Sequence, residues 1–584
     1  MRFKKWVEVR KGADYASICR QFNISLPMAR LLRNRGICGQ TAIENYLYGS
    51  LSMLADPSEL PDIAEAVDVL IEAAEAGAPV RIIGDYDVDG ICATYILLRA
   101  LEGAGLAVDA DIPDRKTDGY GINPQMVQRA AEEGIEVIVT CDNGISANEA
   151  VREAVNLGLS IIVTDHHEVS DSLPEADAVI DPKRADSVYP QRDICGAALA
   201  WQVMRGLYAA MGKGSEKLDG LIAFAALATV CDVVPLTGDS RIIVREGLKA
   251  IRQTKHTGLQ ALIQACGIEQ EKISAYHLGF ILGPCLNACG RLTSAKDALS
   301  LLCEEDPVKA QKKAMMIRAL NDRRKALTEE GFAAAKARLD EETARQDRVH
   351  VIFAEDCDES VAGIVAGRIR EELYRPTILL TVGRDGLVKG SGRSVPGYDL
   401  FAALKSHADL FVKYGGHEQA AGLTVRKQDV ETLRKILNTE EAPDEELLTE
   451  KLQLDMVLPF SQCSEALVNE ISQMEPCGVD NRRPLFAARH VRISGVRLLG
   501  KDGRVLSMTG DDGSGTALAC VFFGDTGQLI EQIFNECGVR ITGCTQQELD
   551  TVRLTLAYTL NINEYRGTRT LQAVIRDVLV EKQS

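Results

Sequence analysis

No uncharged apolar run in this chain approaches the ~20 residues that a membrane span needs, so no spanning helix is expected. The opening stretch, MRFKKWVEVRKGADY, carries basic residues with no apolar core behind them, so no secretory signal is expected. Zinc-type spacing is also missing. The 16 cysteines are scattered, and the nearest pair, Cys285 and Cys289, has no second Cys or His pair to match it. They read as reduced, buried small hydrophobes, and the expected compartment is the cytoplasm. An excess of positive charge is lacking too: Lys and Arg number 66 against 84 Asp and Glu, for a net charge of −18. Phosphate binding needs a positive surface, so any nucleic acid would have to be held in a local basic groove, in a salt-sensitive way. Internal repeats and low-complexity tracts are absent.

What is present, in 584 residues of which 46% are hydrophobic and 26% charged, fits several globular domains. The spacing predicts short helices over 15–22 and 26–33, then a helix over 62–75. From there strands at 80–85, 108–112, 136–140 and 160–164 alternate with helices at 90–104, 124–133 and 148–157. That alternation predicts an α/β fold with a parallel, doubly wound sheet. Further helices are expected over 196–210 and 217–231. Residues 308–346 are rich in Ala, Lys, Glu and Arg and predict a long, largely exposed connecting helix. A second α/β unit is expected from 349 to about 438, followed by an acidic, Pro-containing linker at 438–446. Strand-like segments at 490–498, 503–509, 516–523, 538–544, 552–561 and 568–576 suggest a small C-terminal β-barrel.

The chain is organised around Arg81–Gly90, RIIGDYDVDG. A buried strand ends at Gly84, three aspartates alternate (Asp85, Asp87, Asp89), and a helical pattern follows. Taken alone, this could be a helix cap at Asp89 with two solvated acids. Three more clusters change that reading. Strand 137–140 runs into Cys141-Asp142-Asn143-Gly144, strand 161–164 into Asp165-His166-His167, and the segment 225–230 into Cys231-Asp232. In a parallel sheet such strand ends share one edge, so the groups can converge. Carboxylates and imidazoles without thiolate suit two divalent ions, Mn²⁺ or Mg²⁺, and a carboxylate such as Asp142 can bridge them.

These motifs resemble those of the DHH phosphoesterase superfamily, and length and motif order are similar to its bacterial single-strand-specific exonucleases. The resemblance also takes in Gly119-Tyr120-Gly121, Asp232 to Leu236, Gly283-Pro284 through Arg291, Gly390 to Ser394 and Gly415-Gly416-His417 through Gly422. It implies an N-terminal helical segment (1–45), a DHH catalytic domain (46–303), the connecting helix (304–346), a DHH-associated substrate-binding domain (347–440) and an OB-fold nucleic-acid-binding domain (447–584). Carried over position by position, it implies Asp85, Asp87, Asp142, His166, His167 and Asp232 as metal ligands and catalytic residues. The implied reaction is degradation of single-stranded DNA from the 5′ end to 5′-mononucleotides by two-metal phosphodiester hydrolysis, in recombination and repair. The relatives further imply single-strand-binding protein and a helicase as partners of a monomeric enzyme.

For the phosphate, Ser391 and Arg393 read as part of a Gly-rich turn whose amides approach an anion. Arg115 and Arg291 offer bidentate contacts, and Gly415, Gly416 and His417 add close backbone approach and a donor. Strand-binding candidates in the barrel are Phe522, Phe523, Tyr558 and Tyr565, with Arg504, Arg566 and Arg569 beside them. The chain departs from the family pattern at Ile83, where many relatives have His, and at Cys285, where Gly-Pro-Arg becomes Gly-Pro-Cys. Two other readings stay open: a DHH phosphodiesterase acting on short oligonucleotides or cyclic dinucleotides, and a non-catalytic single-strand-binding scaffold.

Overall fold

The computed structural model describes residues 4–115, 117–169, 172–339, 346–383, 386–500, 502–565 and 567–581. They form two compact units, one of Met1–Leu47, Glu445–Cys477 and Asn481–Ser584, the other of Tyr48–Asp444 with Gly478–Asp480.

In the larger unit, the first sheet is all parallel. Its strands are Val108–Asp111, Val80–Gly84, Val137–Cys141, Ser160–Thr164 and Ala178–Ile180, in that spatial order. Over the strands from Val80–Gly84 to Ala178–Ile180 both faces are covered, which is why these read as near-continuous apolar runs. The edge strand Val108–Asp111 (VDAD), by contrast, is not buried. Ile82 and Val139 belong to one core with helices Val88–Ala104, Gly196–Ala210 and Ile222–Cys231; Ile83 and Ile138 face the other core with Pro124–Glu132 and Asn148–Asn156. Each such fully buried aliphatic side chain contributes about 1.5–3 kcal/mol. In chain order this sheet's first strand, Val80–Gly84, is flanked by its second on one side and its third on the other. Strand order therefore reverses between Val80–Gly84 and Val137–Cys141, and the crevice beyond their carboxyl ends is where such sheets place ligands.

Helix Pro307–Leu339 spans 33 residues. It is less exposed than its composition predicts: Ala310, Ala314, Ile317, Asn321, Thr328, Gly331, Ala335 and Leu339 form a buried stripe along it. It leads to a second five-stranded sheet with spatial order Phe411–His417, Ala420–Val425, Val388–Arg393, Thr377–Val382 and His350–Phe353. Only the last pair is parallel. Helix Ala362–Leu373 packs against this sheet.

The smaller unit contains Phe486–Leu499, Val505–Asp511, Ala517–Phe523, Leu554–Tyr565 and Thr568–Val580. The first pairs with both the second and the fourth, the second with the third, the third with the fifth in parallel, and the fifth with the fourth, so the circuit closes on itself. Two expectations fail here. Residues 538–544 form no strand, because helix Thr526–Cys537 precedes them and ends at Gly538 in the left-handed region (φ 74°). The segment expected to be helical over 1–45 does not begin so: Lys4–Glu8 is a strand, parallel to Glu450–Leu454. Its partner lies in a distant part of the chain, beyond the reach of local periodicity.

Candidate metal centre and phosphate cleft

Gly84, Cys141 and Thr164 stand side by side in register. The next residue of each strand is therefore an acid at the same edge: Asp85, Asp142 and Asp165. Gly90 lets this edge close up, since a Cβ there would lie 2.4 Å from the carbonyl oxygen of Asp85. Asn143 ties the strand ends together: it accepts from the Ile122 amide at 3.0 Å and donates to the carbonyls of Ile83 (3.1 Å) and Cys141 (2.9 Å). Asp142 itself is held at φ 60°, and Val233, next to Asp232, at φ 62°. Left-handed backbone costs a non-glycine residue roughly 1–3 kcal/mol, and such strain concentrates at functional sites.

Three groups of side chains bring their ligand atoms within 4.8 Å of one another: Asp85, Asp87 and Asp142; Asp142, His166 and His167; and Asp89, His166 and Asp232. All six residues expected at a metal site are thus drawn together, with Asp142 common to two groups. His166 Nε2 lies 3.0 Å from Asp142, 3.4 Å from Asp89 and 3.8 Å from Asp232. Asp89 is the addition, a buried carboxylate whose two oxygens accept from the amides of Gly196 (2.6 Å) and Ala197 (2.7 Å) at a helix start. The Asp85-x-Asp87-x-Asp89 alternation is the signal that could have included it. Asp87, rather than Asp89, caps the helix, accepting from the Asp89 and Gly90 amides. Asp232 sits at a helix C-cap, not on a strand of the sheet.

The electrostatics fit divalent cations. Burial and the charge of Asp87 push Asp85 up to about 8. Burial and the neighbouring acids push Asp232 up to about 8 and hold Asp142 well above the carboxylate range. Oδ1 of Asp85 is buried without a hydrogen-bond partner, as expected of an oxygen reserved for an ion. Burial lowers His166, which keeps its imidazole neutral and able to ligate. Burial opposes protonation of His167 as well, but there the hydrogen bond and charge of Asp165 win and raise the imidazole to about 9. Ile83 is fully buried in the second core, so this chain has an apolar contact where an imidazole would stand.

Asp87 also lines an adjoining cleft of about 560 Å³, together with Tyr86, Arg115 and Arg291 on one side and Ser391, Arg393 and Gly415 on the other. Burial and the charges of Arg115 and Arg324 draw Arg291 down to about 10, and burial lowers Arg393. The guanidinium contacts go to neutral groups: Arg291 to the Ser360 carbonyl (3.4 Å), Arg393 to Ser391 Oγ (3.1 Å) and the Gly392 carbonyl (2.7 Å), and Arg115 over the Tyr86 ring (5.5 Å). Such a cluster is stabilised by an anion. The expected Gly-rich turn is instead strand: Ser391 pairs with Gly422, which pairs with Gly415. Added Cβ atoms at Gly415 and Gly422 would meet nothing within 4 Å, leaving bare backbone towards open space, whereas at Gly390 and Gly392 they would strike Leu380 and Leu400. Gly416 and His417 are exposed and do not line the cleft. In the C-terminal sheet Phe522 and Tyr558 are core, while Phe523 is 57% exposed. Arg566 and the Tyr565 side chain lie outside the described residues.

Comparisons with known proteins cover the same three regions. The model of the DHH family N-terminal domain matches residues 79–229, that of the DHHA1 domain residues 346–441, and that of the RecJ OB domain residues 454–577. The single-stranded-DNA-specific exonuclease RecJ of Salmonella typhimurium is 32% identical over 572 residues, covering 94% of this chain and 95% of its own. That of Escherichia coli is 31% identical over 573 residues, with the same coverage of both chains. The crystal structure of RecJ from Thermus thermophilus in complex with Mn²⁺ matches with a TM-score of 0.81 at 26% identity, covering 99% of this chain and 80% of that one.

Proposed function

The chain belongs to the RecJ family, and on that footing we propose that it is a divalent-metal-dependent exonuclease that degrades single-stranded DNA from the 5′ end to 5′-mononucleotides. The observation that carries the proposal is the double membership of Asp87, in the three-carboxylate group and in the wall of the basic cleft. A terminal phosphate held by Ser391 and Arg393 would place the adjoining phosphodiester towards the acidic edge.

Asp85, Asp87 and Asp142 would hold one ion, and Asp142 with His166, His167 and Asp232 the other, with Asp142 shared. Mn²⁺ or Mg²⁺ bound there supplies charge neutralisation for phosphodiester hydrolysis. The protein's own residues do the positioning. Asp165 orients His167, Asp89 and Asp142 flank the neutral imidazole of His166, and the row Gly415–Gly422–Ser391 presents bare backbone to the phosphate. Arg115, Arg291 and Arg393 supply its counter-charge, while Gly416 and His417 extend the same strand beyond the cleft. Residues 46–303 would be the catalytic domain, 304–346 the connector, 347–440 the phosphate-binding domain and 447–584, closed as an OB fold is, the holder of the trailing strand. The setting is recombination and repair in the cytoplasm, as a monomer working with single-strand-binding protein and a helicase.

The test is digestion of a 5′-phosphorylated, 3′-labelled single strand with Mn²⁺, wild type beside Asp142→Ala. Ordered shortening from the 5′ end, abolished by the substitution, is expected. Binding without cleavage by the wild type would overturn the proposal.

A further inference from the structure

A second group of reactive side chains lies away from the metal ligands. Cys266 caps the C-terminal end of helix Thr257–Ala265, and Cys285 lies in the first turn of helix Gly283–Leu292. Their sulfurs are 3.7 Å apart. Cys285 is fully buried and Cys266 partly exposed, so one thiol of the pair is open to a solute and the other waits behind it. The long helix Pro307–Leu339 supplies the surroundings. Asn321 donates to Cys285 Sγ at 3.3 Å, Arg318 donates to the Ala265 carbonyl beside Cys266, and Lys325 adds a second positive charge. The hydrogen bond from the Cys285 thiol, with the charges of Arg318 and Lys325, draws Cys266 down to about 7. Burial does the opposite to Cys141 and Cys289, which are pushed up to about 12. The hydrogen bond that Cys285 donates to Cys266, together with burial, raises Cys285 as well. Near neutral pH, therefore, Cys266 is the thiolate that attacks first, and Cys285 reacts only once Cys266 is oxidised, its proton going to the departing hydroxide.

We propose that Cys266 and Cys285 form a reversible disulfide under hydroperoxide, which links the redox state of the protein to the cleft. The Cys266 thiolate attacks a peroxide oxygen; the O–O bond breaks and hydroxide leaves, taking up a proton to become water. Cys285 sulfur then attacks the sulfenic sulfur; the S–S bond forms, the S–O bond breaks, and the departing hydroxide takes the Cys285 proton as a second water. Two thiols lose two electrons, and one hydrogen peroxide is reduced to two waters. A dithiol reverses the step by exchange.

The link reaches the cleft through helix Gly283–Leu292. The same helix carries Asn287, which accepts from the Val88 amide at 3.1 Å, Gly290, packed against the Tyr86 carbonyl, and Arg291, in the cleft wall. Closing the sulfurs to the ~2.05 Å of a disulfide requires about 1.7 Å of approach. The bond also removes the Cys285 thiol that holds Cys266. Misplacement of about 1 Å at a site can cost ~100-fold in rate, so oxidation is expected to slow digestion at least about tenfold.

The activity readout rests on the exonuclease reading, whereas the linkage readout does not. The full chain is treated with a small excess of hydrogen peroxide, alkylated and digested, and the peptides are weighed. Strand digestion is measured on the same samples before and after dithiothreitol. A Cys266–Cys285 linked peptide, formed in the wild type, lost in Cys266→Ser and reversed by dithiol, is expected, with digestion falling and recovering in step. Cys266→Ser, at a partly exposed position, should keep its activity under peroxide. Absence of the linked peptide overturns the disulfide, and its formation with unchanged digestion overturns the coupling. Equal inactivation of Cys266→Ser also overturns the coupling. A wild type that forms the linkage but never digests a strand refutes the exonuclease reading alone.

Discussion

Nδ1 of His167 donates to Oδ1 of Asp165 at 2.7 Å, and that same oxygen receives the amides of His166 and His167. Its other oxygen accepts from the Ile145 amide at 2.9 Å. The first letter of the Asp-His-His motif is thus an orienting group: it holds a proton of His167 on Nδ1, so that Nε2 is the nitrogen a metal would take, displacing the second proton. Asp165→Asn is expected to weaken Mn²⁺ affinity about 10–100-fold while leaving the fold intact. Calorimetric titration with Mn²⁺, beside a far-UV spectrum, checks both halves.

Asp142 lies among buried acids that repel one another without a cation. Asp142→Asn should therefore raise the melting temperature of the metal-free protein, by about 2 °C for each kcal/mol relieved. It should also shrink the stabilisation by Mn²⁺ and abolish digestion. Scanning calorimetry with and without Mn²⁺ reads this, and a lower metal-free melting temperature would contradict the repulsion argument.

Gly290 is helical, and Gly→Ala inside a helix ordinarily gains about 1 kcal/mol. Here an added Cβ would lie 2.3 Å from the Tyr86 carbonyl oxygen, on backbone that has no flexible end to give way. Overpacking of this kind costs about 1–3 kcal/mol, so Gly290→Ala should destabilise and should displace the loop carrying Asp87. Urea denaturation together with digestion rate tests it.

Arg393→Ala should raise KM for a 5′-phosphorylated strand about tenfold or more, from loss of a charged hydrogen bond worth ~1.5–3 kcal/mol. A strand with a 5′-hydroxyl should be little affected. Arg393→Lys keeps the charge but not the fork and should restore only part. Equal losses on both strands would show that Arg393 does not read the terminal phosphate.

His256 accepts the Leu259 amide on Nδ1 at 3.0 Å and lies 2.6 Å from the Tyr95 hydroxyl through Nε2. Burial, and then the charge of Arg99, lower it from 6.5 to about 4. The folded value lies below the unfolded one, so the unfolded chain takes up the proton first as pH falls. Stability is fully present above 6.5 and is lost towards pH 4, by up to about 3 kcal/mol. Denaturation midpoints between pH 7 and 4.5 should fall more steeply for the wild type than for His256→Gln.

The sequence by itself determined what local pattern can carry. Val80–Gly84, Val137–Cys141 and Ser160–Thr164 are buried on both faces and followed by acids, and a run of β-branched residues ending in Gly or Asp announces a buried strand and its ligand edge at once. The convergence of Asp85, Asp87, Asp142, His166 and His167 was legible from those edges, and the place of Asp232 beside them from the family motifs. The long helix was legible from composition, though not its buried stripe, because Ala and Gly on one side of a charged helix give little periodic signal.

Tertiary structure alone decided the rest. The alternation hinted at Asp89, but its seat among the acids is fixed by a helix start from residue 196 that donates two amides to it. Ser391 and Arg393 read as turn because glycine flanks them, but those glycines serve close packing of a strand between Leu380 and Leu400. Lys4–Glu8 is a strand because Glu450–Leu454 is there to pair with it. Cys266 and Cys285 look like two unrelated hydrophobes until two helices bring their sulfurs together. In each case the deciding partner is distant in the chain, and a hydrogen bond or contact of that kind leaves no trace in local hydrophobic period or turn chemistry.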